Sequence, residues 1–165
     1  MFDKLTKRVS AATDTPRSTA MTHIFVNIPT SDLEKSKAFY TALGATLNPT
    51  FTDDNAACIV WDENVYFMAV TNEYFATFTD KKTVDPRTHA QVLIALSRDS
   101  REAVDEIIAA GIAAGGSEPT EAKDYGFMYS RDLDDPDGNG VEFFFMEPQA
   151  AEQGPDAYLA EQAKA

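Results

Sequence analysis

The sequence predicts an α+β protein of two βαβββ modules, forming a concave eight-stranded mixed sheet with helices on its outer face. Three observations predict it. A strand-like alternation gives way to a capped amphipathic helix near residue 31, the same succession recurs near residue 98, and three short β-like stretches follow each helix.

In the first module, Ile24, Val26 and Ile28 alternate with His23, Phe25 and Asn27, which is the period of a strand with two unlike faces. Ser31-Asp32-Leu33-Glu34 has the Ser-x-x-Glu spacing of a capping box. Leu33, Ser36, Phe39, Tyr40 and Leu43 share one helical side, and Gly44 suits a left-handed stop. Strands are expected near 45–51, 56–61 and 65–71, with Asp53-Asp54-Asn55 and Asp62-Glu63-Asn64 as turns. In the second module Val92, Ile94 and Leu96 alternate with Gln91, Leu93, Ala95 and Ser97, and Asp99 opens a helix whose apolar side is Val104, Ile107 and Ile108. Gly115-Gly116 ends it. Strands near 118–122, 126–132 and 140–146 follow, the last two joined by the turn Asp134-Asp135-Pro136-Asp137-Gly138-Asn139. Modules of this kind each leave one sheet face without a helix, so packing them as a pair predicts a cleft between them.

The 165 residues, 44% hydrophobic, suffice for one filled core and not for two ordinary domains. The longest apolar stretch, Ala56 to Val70, is broken by Asp62, Glu63 and Asn64, so no membrane span is expected. A net charge of −13 repels nucleic acid and anionic membrane surfaces and favours a cationic small molecule over an anionic one. Cys58, the single cysteine, lies in an apolar run and reads as a small buried hydrophobe in a cytoplasmic protein. Residues 1–21 read as a disordered tail, with Met21 an alternative start to Met1. The domain is expected over 22–148, with halves at 22–85 and 89–148. Residues 149–165 read as a C-terminal tail holding at most a short helix around Asp156 to Lys164.

The stretch Val26-Asn27-Ile28-Pro29-Thr30-Ser31-Asp32-Leu33-Glu34 through Phe39-Tyr40 and Leu43-Gly44 resembles the opening strand and helix of vicinal oxygen chelate proteins, the glyoxalase/bleomycin-resistance/dioxygenase superfamily. Asp135-Pro136-Asp137-Gly138-Asn139, with Gly140-Val141-Glu142, resembles their closing hairpin. Lys123 to Tyr129 and Thr71 to Phe78 are similar to a bacterial group labelled as predicted lactoylglutathione lyases. The resemblance implies a divalent metal held by four residues, two from each module, and often a homodimer that pairs modules across its interface. Those four positions fall here at Phe25, Met68 (Phe67 if the register slips by one), Leu93 and Glu142. Only Glu142 offers a lone pair suited to such an ion, so no metal and no other cofactor is expected. A relocated site would draw on His23 and His89 with Glu142, but the histidines lie roughly 7 and 13 Å along their strands from the family positions. That alternative would make the chain a metal-dependent lyase, isomerase or dioxygenase.

Strand alternation sends Phe25, Asn27, Tyr66, Met68, Leu93, Glu142, Phe144 and Met146 toward the predicted cleft. The expectation is an aromatic and apolar pocket around one acid. Phe25, Asn27, Tyr66, Met68, Leu93 and Phe144 would then bind a small molecule. Glu142 would either act as general acid or base without metal, leaving open whether the protein is an enzyme, or pair with a cationic ligand. Tyr74, Phe75 and Phe78 on the link between modules would fill core or, less simply, form a lid.

Overall fold

The computed structural model describes residues 21–164. The expected tail over residues 1–21 therefore lies, but for Met21, outside the described residues. The first module runs β1 (Ile24–Thr30), α1 (Leu33–Ala42), β2 (Thr46–Asn48), β3 (Ala56–Asp62) and β4 (Val65–Thr71), and a one-turn helix α2 (Asn72–Phe75) leads out of it. The second runs β5 (Ile94–Ser97), α3 (Arg101–Ala113), β6 (Lys123–Asp124), β7 (Met128–Asp134) and β8 (Gly140–Met146). Each module is a four-stranded mixed sheet in the same order, β1-β4-β3-β2 and β5-β8-β7-β6, with its first strand parallel to its last.

Local chemistry explains the helix ends. Asp32, rather than Ser31, caps α1 by accepting from Lys35 N at 3.1 Å, and Ser100, one past Asp99, caps α3 by accepting from Ala103 N at 3.1 Å. The displaced Ser31 is used elsewhere, donating its N–H and hydroxyl to Asp137 of the closing hairpin. Gly44 (φ +94°) takes the left-handed stop that a side chain would resist.

The modules share one core, and the way they share it differs from expectation. Ile59, Trp61 and Phe67 stand on the face of the first sheet that carries α1; Val141 and Phe143 stand on the matching face of the second, and Trp61 meets Phe143 at a ring distance of 6.0 Å. Tyr40 of α1, fully buried, donates to Asp135 at 2.9 Å. The halves thus join through their helix-bearing faces, and no strand of one half is hydrogen-bonded to a strand of the other among the described residues. Two separate four-stranded sheets replace the expected single eight-stranded one, and their helix-free faces look outward as two cups instead of enclosing one cleft.

Other boundaries also move. The second module's first strand begins only at Ile94, leaving Val92 and Leu93 in irregular chain, and no strand forms over the expected 118–122, which is flanked by a lone bridge between Ser117 and Asp134 and by the two-residue β6. The expected C-terminal tail forms two helices, α4 (Pro148–Gln153) and α5 (Pro155–Gln162), each begun by a proline and separated by Gly154 at φ +91°. Ala150 is buried, and Leu159 lies against Gly126, so this segment packs on the second module.

Candidate functional site: an aromatic cup and an acidic cup

The first cup rises from strand register. β1 and β4 pair Phe25 with Tyr66 and Asn27 with Met68, and β3 sets Cys58 beside Met68, so three adjacent strands present these side chains on the helix-free face. Phe25 and Tyr66 stack with ring centroids 4.6 Å apart and planes 11° from parallel. Next to them Asn48 caps a 3₁₀ turn, Pro49–Phe51, by accepting from Thr50 N at 3.0 Å, and this turn throws Phe51 over the cup. The resulting cavity measures about 430 Å³ and is walled mainly by carbon. Phe25 and Phe51 remain 54% and 64% exposed, far more than aromatics with a core to enter. Cys58 is its floor; burial pushes the thiol's pKa up, which makes it a poor nucleophile.

The second cup has another chemistry. Glu142 on β8 faces Asp132 on β7, and with Lys123, Asp134 and Leu93 they line a cavity of about 310 Å³. Lys123 donates to Asp132 at 2.7 Å, which raises the lysine's pKa, while burial and the carboxylates Asp135 and Asp132 raise that of Asp134. The aromatic pocket around one acid is thus resolved into two places: the aromatics sit in one cup, and Glu142 stands in the other among three more charged side chains. Tyr66 does not reach Glu142; its hydroxyl donates to the Glu63 carbonyl at 2.6 Å.

Of the residues expected to bind, Phe25, Asn27, Tyr66 and Met68 come together, and Leu93 and Glu142 come together elsewhere. Leu93 is 84% exposed, because the strand that would have held it starts one residue later. Phe144 is half-buried on the same face as Glu142, opposite Ser97 and Ser130. Phe51, Asn48 and Cys58 escaped sequence reasoning; only the pairing of Cys58 with Met68 and Asn48 could have revealed the last two. Tyr74 and Phe78, expected to fill core, are instead 42% and 52% exposed and face the first cup's end.

The donor set does not fit a divalent metal. Phe25, Met68 and Leu93, the positions that the resemblance implies for ligands, carry no suitable donor, and among the described residues no three His, Cys, Asp or Glu side chains gather to hold an ion. The relocated set fares no better, since His23, His89 and Glu142 line three different cavities and His89 Nδ1 is engaged by Thr88 Oγ1 at 2.8 Å.

Comparison with known proteins agrees with this architecture. The family model described as bleomycin resistance protein-like N-terminal matches residues 22–61. Among solved structures, a hypothetical protein from S. aureus is 25% identical, with TM-score 0.65 over 76% of this chain and 95% of its own. A glyoxalase/bleomycin resistance protein from Albidiferax ferrireducens T118 is 25% identical, with TM-score 0.55 over 73% and 95%. The bleomycin resistance determinant encoded on the transposon Tn5 shares the fold at 18% identity, with TM-score 0.55 over 77% and 99%. No curated protein matches the sequence. The signature over residues 22–61 and the paired βαβββ modules thus give the chain the fold of the glyoxalase, bleomycin resistance and dioxygenase proteins, the vicinal oxygen chelate architecture.

Proposed function

We propose that the protein sequesters a flat, cationic small molecule without a metal, and that it does so as a homodimer whose cleft sets the aromatic cup of one protomer against the acidic cup of the other. The aromatic cup carries this reading: a stacked Phe25–Tyr66 pair kept open to solvent is costly unless something covers it. A planar cation would lay its face on those rings and its charge opposite Glu142, and the net charge of −13 would draw it in. A second copy supplies the missing wall. Among the described residues β1 and β5 are both sheet edges, and the apolar Ile24 that opens β1 and Val92 just before β5 are more than half exposed, which is the kind of edge that proteins cover.

Calorimetric titration with phenyltrimethylammonium, a one-ring cation, tests the proposal. Expected is saturable binding that EDTA leaves unchanged, weakened about tenfold by Phe25→Ala and by Glu142→Gln. Mixing the two variants should regain tight sites, since mixed dimers hold one intact cleft. A stoichiometric divalent metal in purified protein, lost together with turnover on Glu142→Ala, would overturn the metal-free reading.

A further inference from the structure

The aromatic cup does not end at Met68. A second cavity of about 320 Å³ adjoins it and shares Asn27, Phe51 and Met68 with it. Strand register shows why the two are continuous. Along the helix-free face of the first sheet, the row Phe25–Tyr66 is followed by Asn27–Met68–Cys58 and then by Val70–Ala56. The first cavity covers the first two rows and the second covers the last two. From Tyr66 to Val70 this makes a trough about 13 Å long at the usual rise of a strand.

Its far end is aromatic again. Tyr74 on α2 and Phe78 just beyond it meet edge to face, with ring centroids 5.0 Å apart, and both stay about half exposed. A T-shaped pair left open at the end of an apolar trough is a second platform for a flat group. Phe51 stands between the platforms and belongs to both cavities, so a ligand that uses both ends must pass beneath or beside it.

From this geometry, and resting on the binding reading above, we infer that the ligand is an elongated cation carrying two planar groups, one held at Phe25–Tyr66 and the other at Tyr74–Phe78. A one-ring compound fills half the trough. A two-ring compound of about the trough's length covers both aromatic pairs, and the protein's negative field selects the positively charged member of that class.

Thioflavin T is a suitable probe: it is cationic, has two flat ring systems, and brightens when rotation between them is blocked. Expected is that the wild-type protein binds it more tightly than phenyltrimethylammonium, with a rise in emission. Tyr74→Ala and Phe78→Ala should each weaken thioflavin T by about tenfold or somewhat less and leave phenyltrimethylammonium unchanged, whereas Phe25→Ala weakens both. Phe78→Trp, which keeps a flat surface, should retain the dye. Phenyltrimethylammonium binding that needs Phe25, with thioflavin T indifferent to Tyr74 and Phe78, would overturn the second platform and leave the first reading standing. Binding of neither probe would overturn both. Unchanged circular dichroism of the two exposed-site variants separates loss of contact from loss of fold.

Discussion

Two glycines close α3, and each answers a separate constraint. Gly115 supplies a positive φ of 98°, which the sequence pattern anticipated. Gly116 has an ordinary backbone, but a methyl group there would come within 2.6 Å of the Asp134 carbonyl oxygen and 2.7 Å of the Phe39 ring. The carbonyl is tied to Ser117 N at 3.0 Å and Phe39 is buried, so neither can retreat cheaply. Gly116→Ala should therefore lower stability by about 1–3 kcal/mol in urea denaturation, with the slope unchanged. A wild-type midpoint in that variant would show that the α3 exit can shift to make room. Nothing in the sequence separates the two glycines, because the second is required by residues far from it in the chain. The same holds for Ser31: its spacing to Glu34 satisfied a helix-cap pattern, but the residue that claims it, Asp137, lies 106 positions away.

At the scale of elements, the sequence was informative wherever the cause is local. The order of strands and helices, the hairpins and the Gly44 stop follow from period, caps and turn residues. Most strand ends fell within a few residues of expectation. Where it erred, the cause is pairing that a single strand cannot announce. The alternation that forms β5 starts at Gln91 and Val92 in sequence, yet only the four residues Ile94 to Ser97 find a partner on β8. β7 shows what such pairing adds electrostatically. Arg131 on that strand holds Glu118 through two 2.8 Å contacts and also reaches Asp105 of α3 at 2.8 Å. The Arg131 hydrogen bonds lower the Glu118 pKa; for Asp105 burial works the other way, but donation from Arg131 and Tyr129 outweighs it. Both carboxyls thus bind protons more weakly folded than unfolded. Their contribution is complete above the ordinary carboxylate range and is lost as pH falls through their lowered folded values. Arg131→Leu should lower the melting temperature near neutrality, and its deficit against wild type should shrink as pH drops below about 4. A deficit that is the same at every pH would assign the loss to packing of the arginine stem instead.

For the whole molecule the decisive fact is which sheet faces meet, and alternation along a strand cannot say, since it marks two faces without telling which one finds the other module. The structure shows what fixes the choice. The closing hairpin reaches across the seam: Asp137 accepts from Thr30 Oγ1 at 2.6 Å and Ser31 N at 3.0 Å, Asn139 Nδ2 donates to the Pro29 carbonyl at 3.2 Å, and Asp135 takes the Tyr40 hydroxyl. Beside this latch the single tryptophan, Trp61, packs on Phe143, with the Arg98 guanidinium 5.4 Å from the first ring and 4.8 Å from the second. Polar groups this deep are costly to leave unpaired, so they specify one mutual orientation where apolar contact alone would accept several. Asp137→Ala strips Thr30 and Ser31 of a charged acceptor and should cost about 2–3 kcal/mol, or a melting temperature lower by about 5–10 °C for a chain of this length. Because Trp61 lies in the joint, its emission should shift to the red in that variant at temperatures where far-ultraviolet circular dichroism still reports intact modules. Wild-type protein should lose both signals together. Coincident transitions in the variant as well would mean that the latch adds stability without holding the modules in register, and that the apolar seam sets their orientation alone.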